Sequence, residues 1–469
     1  MTSMSTESLP QPAPAGEISG AAAARPYLDH FVRSMAGAGA PAWLRTRREQ
    51  AMRHFSTLGF PTQRQEGWRH TSLAPIVQSE FALAVEAAWT PAFSAALARL
   101  PLAGLAAPRA VLLNGRFAPA ASQLEALPAG VSVTPLARAW RDNAAAESYW
   151  AKLATGERHG LIALNTALAE DGLLVEVAPG IEADQPLLLV YASAGGGTPA
   201  SGGSPVAQFP RALILAGRSS RLAVIEVFLT LSGGAHFTNA VTEIRLDENA
   251  EVDHYKIAHE SLSALHFGAV EAQLERDARY RTSSILLGGR LVRNETGARL
   301  AGAGAETRLL GLYVASGRQH MDNFTRLDHA HPHGASREYY KGILDGESVG
   351  VFSGRIIVRP GAQRTDAIQS NKNLLLSETA SLRAAEPQLE IYADDVRCTH
   401  GATVGQLDAE ALFYLRTRGL DADAARRLLT YAFANEILAQ VAVTSLRQTL
   451  EKELFARWSG QPDSAPSPA

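Results

Sequence analysis

The chain has 469 residues, 46% of them hydrophobic, a formal charge of −3 and a single cysteine. That length can bury a large core, and the length alone suggests two or three domains. The slight acidity argues against a nucleic-acid or anionic-membrane protein, and one cysteine excludes an internal disulfide framework and fits a reducing compartment.

Residues 1–22 are rich in Ser, Pro, Gly and Ala without periodicity and read as a disordered tail. Glu7, Glu17 and several prolines leave no room there for the apolar heart of a signal peptide. No run of about 18 apolar residues occurs anywhere, so the expectation is a cytoplasmic protein without a membrane span. Tyr27, Phe31 and Met35 recur at helical spacing, and after Pro41 the stripe Leu44, Ala51, Phe55 and Leu58 continues to Gly59. Arg45-Thr46-Arg47-Arg48 reads as the solvated face of that helix. Thr90-Pro91 opens another short helix through Leu97 and Leu100, and 135–170 is mixed and partly helical.

After Asp171-Gly172 the texture changes. Short apolar, β-branched runs such as Leu173–Val177, Leu187–Val190, Leu222–Leu229, Tyr280–Leu287, Val349–Val358 and Leu389–Tyr392 alternate with Gly, Pro, Asp and Asn. More than 200 residues of this pattern without a helical stripe rule out a doubly wound α/β fold. A sandwich, a barrel or a solenoid remains. The uninterrupted length favours the solenoid, although no strict repeat is visible. The glycine-rich 192–205 segment reads as a surface loop. Helical signals return after Leu407. Asp408 and Asp421 are placed to cap two helices, the second carrying Leu428, Leu429, Phe433, Ile437 and Val441 as an apolar stripe that could extend to Phe455. The chain thus divides into a tail (1–22), an N-terminal helical part (23–109), a β core (110–406, mixed up to about 170), a C-terminal helical part (407–458) and a second tail (459–469).

The chemistry is sparse. No phosphate-binding Gly-rich loop followed by Lys-Ser/Thr, no Gly-x-Ser-x-Gly elbow and no Cys-x-x-Cys is present. Cys398 and His400 lie two apart, so on a strand they share a face about 7 Å apart along the backbone. A thiolate and an imidazole make a soft partial ligand pair for iron or zinc, which a second surface would have to complete. Set against this, a lone cysteine is more often a small buried hydrophobe. His329-x-His331-x-His333 would form a second metal-ligand row on a strand, but Pro332 and Gly334 favour a turn of locally bonded histidines. Asp322, Asp345, Asp366, Asp394 and Asp395 show no spacing that singles out a catalytic pair for glycan cleavage. A polysaccharide-active β-helix enzyme and a His-cluster metalloenzyme are therefore the alternatives to a metal-handling scaffold.

Several segments together resemble a known family. Glu66-Gly67-Trp68-Arg69-His70-Thr71 is similar to its Trp-Arg/Lys-Tyr-Thr element, with His70 replacing the usual aromatic, and Leu164-Asn165-Thr166-Ala167 with Asp171-Gly172 matches the start of its β core. The most specific matches are His320-x-Asp322-x-x-Thr325 through His333, Val351-Phe352-Ser353-Gly354-Arg355-Ile356, Gln369-Ser370-Asn371-Lys372-Asn373-Leu374 and Cys398-Thr399-His400-Gly401-Ala402-Thr403. Phe413-Tyr414-Leu415-Arg416-Thr417-Arg418-Gly419 follows. The chain from about 25 to 455 is thereby identified as a member of the SufB/SufD family of the SUF iron–sulfur assembly system, more similar to its SufD branch. The resemblance implies a right-handed parallel β-helix between helical ends, acting as a scaffold and not as an enzyme. It implies pairing with SufB through the β-helices, with a homodimer as the arrangement open to the isolated chain. It also implies docking of the ATPase SufC on the C-terminal helices, with Phe413, Tyr414, Arg416 and Arg418 as contact residues. ATP is then bound only by SufC. A transient cluster or iron shared with SufB would be held by His400, with Cys398 accessory, and a reduced flavin belongs to the complex although no flavin motif is visible here.

Overall fold

The computed structural model describes residues 20–35, 39–83, 88–157, 159–195, 205–232 and 234–458. Most of both expected tails and most of the 192–205 loop lie outside them. Helix α1 (Gly20–Met35) begins just inside the stretch assigned to the first tail. It is followed by α2 (Ala42–Leu58), α3 (Ala74–Val77), β1 (Ala82–Leu83), α4 (Pro91–Ala98), β2 (Arg109–Leu113), β3 (Arg116–Phe117), β4 (Val131–Pro135), α5 (Leu136–Asp142), α6 (Ala144–Tyr149) and α7 (Gly160–Leu168). The Thr90 hydroxyl accepts from Phe93 N–H and Pro91 occupies the first turn, so α4 starts where its signals placed it. Arg45 and Thr46 are exposed as the solvated-face reading expects, whereas Arg47 and Arg48 depart from it. Arg47 donates to the Trp150 carbonyl at 2.9 Å and Arg48 to that of Ala169, their guanidinium groups lying over Trp43 and Trp140. Their flexible stems let charge reach carbonyls left open on neighbouring elements. Burial lowers the Arg48 pKa to about 10.

The rest of the core is a parallel β-solenoid of about seven turns. Its strands are β5 (Gly172–Val177), β6 (Leu187–Ala194), β7 (Val206–Gln208), β8 (Arg211–Ala216), β9 (Arg221–Ser232), β10 (His236–Leu246), β11 (Glu251–His259), β12 (Leu265–Leu274), β13 (Arg279–Leu286), β14 (Leu291–Leu300), β15 (Glu306–Ala315), β16 (His320–His329), β17 (Ala335–Leu344), β18 (Val349–Val358), β19 (Asp366–Leu375), β20 (Ser381–Ile391) and β21 (Arg397–Gly405). One sheet runs β20-β18-β16-β14-β12-β10-β8-β5-β4 and the other β21-β19-β17-β15-β13-β11-β9-β6-β2-β3. Among the described residues only β2/β3 and β4/β5 are antiparallel. From β8 onward successive strands switch sheets, so each hydrogen-bonds to the strand one turn away and not to its chain neighbour, which excludes hairpins there.

The turns do share a repeat, but it is conformational. Ser219, Asn249, Asp277, Gly304, His333 and Arg364 all adopt positive φ, between 55° and 71°, at intervals of 27 to 31 residues. Each donates its N–H to a carbonyl of the next turn: Asn249 to Arg276, Asp277 to Ala303, Gly304 to Pro332 and His333 to Gln363. Left-handed backbone is tolerated by Asn, Asp and Gly and forced on the others by the ladder, so the residue types do not repeat.

Inside the bore, apolar residues such as Ile214, Ile244, Val252, Leu309, Leu327 and Ile356 stack turn on turn. The N-terminal part covers the outer face of the first sheet through Trp68, Phe55, Leu161, Phe237 and Phe267. The Trp68 motif meets the His320 motif there. Thr71 donates to Asp322 and lies 2.9 Å from His320 Nε2, while Arg293 contacts Asp322 at 2.5 Å and stacks on Trp68.

The C-terminal part comprises α8 (Ala409–Thr417), α9 (Ala422–Leu438) and α10 (Thr444–Trp458). Asp408 and Asp421 cap the first two, accepting from Glu410 and Ala424 at 2.8 and 2.7 Å. The expected single long second helix is instead broken between Leu438 and Thr444. Its buried side is Ala425, Thr430, Ala434, Ile437 and Leu438, while Leu428 stays exposed. The helices lie along the outer face of the second sheet, on Tyr255, Ile257, Ile285, Leu312 and Ile343, and do not close the end of the solenoid. That lateral seat selects which face of α9 is buried.

Candidate metal site at the open end

Strand β21 is the last of its sheet and pairs only with β19. In a parallel stack the register decides which side chains lie above one another. Cys398 is in register with Ala367, His400 with Gln369 and Ala402 with Asn371. Ala367, Gln369 and Asn371 are fully buried in the bore. Cys398, His400 and Ala402 therefore occupy inward positions on a turn above which none of the described residues forms a further strand. The expected sharing of a face holds, and the shared face is the mouth of the bore.

The two differ in depth. Cys398 is half-buried against the apolar core, whereas His400 is exposed. Burial pushes the Cys398 thiol up, and the nearby Asp366 carboxylate adds to this against a backbone hydrogen bond from Ala367. A raised thiol carries less thiolate at neutral pH and is the weaker metal ligand. Among the described residues no three His, Cys, Asp or Glu side chains converge as a metal site.

Below His400 the bore is polar. Gln369 follows one turn down and Glu338 two turns down in the same column. Glu338 accepts from Thr325 at 2.5 Å and from Gln369 Nε2 at 2.7 Å. Across the bore stands Gly354, where a Cβ would lie 2.0 Å from Gln369 Nε2. Thr325, Gly354, Gln369 and His400 belong to four separate sequence motifs, and the winding of the chain brings them to one place. Burial without a cationic partner raises the Glu338 carboxyl to about 7. The other fully buried carboxylates of the bore have cations or histidines beside them: Glu226 has His254, and Glu260 has His236 and His266. In the sequence Gln369 stands out only as the first residue of a family motif, and Glu338 falls in none of the motifs. The available signal was spacing, since Glu338, Gln369 and His400 are separated by 31 residues, one turn of this solenoid.

The His329/His331/His333 row does not form. His329 ends β16 pointing inward and contacts Ser336 at 2.9 Å, and burial lowers its pKa to about 4. His331 lies exposed in the bend and His333 is the left-handed corner residue. The carboxylates considered for glycan cleavage are dispersed: Asp322 is tied to Arg293, Asp366 to Arg337 at 2.6 Å and Asp395 to Arg364 at 3.6 Å. On α8 no residue is buried. Phe413 and Tyr414 are exposed, as are Arg416 and Arg418, with the Arg418 guanidinium 5.2 Å from the Tyr414 ring. No described helix is long and apolar enough to cross a membrane.

Comparison with known proteins agrees with the motifs. Residues 199–433 match the family described as "SUF system FeS cluster assembly, SufBD core domain", and 22–189 match "SufBD protein N-terminal region". The chain is 32% identical to the iron–sulfur cluster assembly protein SufD of Escherichia coli over 420 residues, covering 88% of this chain and 94% of that protein. It is also 32% identical over 422 residues to a SufBD family protein of Synechocystis, covering 88% and 90%. A Mycobacterium tuberculosis SufBD family protein is 35% identical over 241 residues, covering 50% and 60%. With a matched core, a matched N-terminal region and a parallel solenoid between helical ends, the chain belongs to the SufB/SufD family of the SUF iron–sulfur cluster assembly system.

Proposed function

We propose that this chain is the SufD-type scaffold subunit of a cytoplasmic SUF complex. It pairs with SufB through the unpaired edges of β20 and β21 and engages the ATPase SufC through α8 and the outer side of α9. Iron or a nascent cluster is its cargo, held at the interface by His400 with Cys398 accessory. ATP stays on SufC, and any reduced flavin is bound by the complex. In the absence of SufB the same edges can pair with a second copy.

The observation that carries this reading is the placement of His400 and Cys398 on the inward face of an edge strand at an open mouth. Two soft ligands leave an iron site half built, and the edge that bears them is the one a partner sheet would extend. The test is co-expression with SufB and SufC, followed by cluster reconstitution read by visible absorption and iron content. His400→Ala should assemble the complex but lose most of the cluster, and Cys398→Ser should lose less. Wild-type iron loading in His400→Ala would overturn the assignment.

A further inference from the structure

Gln369 is almost completely buried, yet its side-chain oxygen has no hydrogen-bond partner among the described residues. Such an orphaned acceptor is costly and calls for a donor. The orientation of the amide is fixed from below. An ionised carboxylate only accepts, so the Glu338 carboxylate faces the amide nitrogen of Gln369, and that contact is 2.7 Å. Gly354 leaves the space across the bore that this nitrogen fills. The oxygen is thereby the end left to serve another group.

Three donors on or beside the Gln369 column are engaged elsewhere. Thr325 gives its proton to Glu338, Asn371 donates to the Tyr340 carbonyl, and Asn373 donates to Asn371. On the turn above, the inward positions are Cys398, His400 and Ala402, and of these the imidazole is the one strong donor. His400 is in register with Gln369 and is exposed, so its ring is free to turn inward.

We infer that Gln369, held by Glu338, is a positioning residue for His400: its amide oxygen takes one imidazole N–H, which fixes the tautomer and turns the other, unprotonated nitrogen toward the mouth. This deepens the reading of His400 as a ligand and rests on it. A metal-binding histidine needs one bare nitrogen, and a hydrogen bond to the other decides which one that is. Here the orienting acceptor comes from the turn below, and its own orientation comes from the turn below that.

The experiment uses the full-length chain labelled with 15N-histidine, without metal, at about pH 8.5, where Glu338 is ionised. His400→Ala assigns the resonances. The wild type should show His400 in a single tautomer. Gln369→Leu, which keeps the bulk and removes the acceptor, should give the mixture of an unconstrained imidazole. Glu338→Gln should also loosen the tautomer, because an amide at 338 can offer either a donor or an acceptor to Gln369. It serves as the second variant if Gln369→Leu does not fold. In the complex with SufB and SufC, Gln369→Leu should retain about tenfold less iron, the scale on which outer partners of metal-binding histidines act. An unchanged His400 spectrum in both variants, or a mixed tautomer in the wild type, overturns the positioning role. Wild-type iron loading in His400→Ala overturns the ligand reading instead, whatever the tautomer.

Discussion

The ammonium of Lys341, on β17, lies 2.6 Å from a carboxylate oxygen of Glu436, on α9, and joins the solenoid to its C-terminal helices. Lys341 is almost wholly buried. It also donates to the Phe433 carbonyl at 3.0 Å and sits 4.0 Å from the centre of the Phe433 ring, while Tyr339 donates to the same Glu436 carboxylate at 2.8 Å. Burial lowers the Lys341 pKa, and the Glu436 carboxyl is held below its usual range by Lys341 and Tyr339 against the opposing effect of its own burial. Glu436→Gln should cost about 1–2 kcal/mol, less than a fully buried pair because Glu436 is half in water. Hydrogen exchange should show the loss concentrated in α9. Uniform loss across the β core would mean the pair does not govern docking of the helix.

Because burial raises its thiol pKa, Cys398 should react sluggishly at neutral pH. Its iodoacetamide rate at pH 7 is expected to fall below that of free cysteine, with the inflection on the alkaline side of the ordinary thiol value. A rate equal to or above that of free cysteine would show a thiolate poised to bind metal and would raise Cys398 to a principal ligand.

Glu338 should make stability depend on pH in an unusual direction. Its folded pKa, about 7, lies above the unfolded value, so the folded state binds more protons between about pH 4.5 and 7. Stability from this group is therefore fully present below that window and lost as pH rises through it, by an amount on the order of 3 kcal/mol. Glu338→Gln abolishes this loss. Its stability relative to wild type should improve from pH 5 to pH 8 in urea unfolding, and a pH-independent difference would show that the carboxyl has an ordinary pKa.

Docking of SufC on α8 can be tested without disturbing the fold, since that helix buries none of its own residues. Phe413→Ser with Arg416→Glu should leave the unfolding midpoint within about 0.5 kcal/mol of wild type and abolish co-purification of the ATPase. Cutting the chain after Gly405 is the poorer test, because it would strip cover from Ile257, Ile285, Leu312 and Ile343 and invite aggregation. Undiminished ATPase binding by the double variant would move the docking site to α9 or α10.

Much of this architecture was legible because its causes are local. Thr90, Asp408 and Asp421 cap helices through bonds to residues two or three positions on, and the short β-branched runs after Gly172 alternate as strands must. The fate of Leu428 was not legible in the same way: it suits a core, yet α9 rests on the sheet through Ala434 and Ile437. The turn at His331 and His333 was legible from Pro332 and Gly334, whereas the left-handed backbone of His333 is set by the corner ladder between turns.

The sequence by itself determined that a long run of short strands lies between helical ends and that Cys398 and His400 share one face of a strand, while the parallel solenoid was favoured by the length of that run and implied by the family resemblance. The first two follow from patterns within a few residues of one another. Only the tertiary structure decided that this face is the open mouth of the bore, and that Gln369 and Glu338 lie beneath His400. Which side chains stack is set by the length of each turn and the register between turns, and those are fixed by corner hydrogen bonds and core packing among residues about 30 apart.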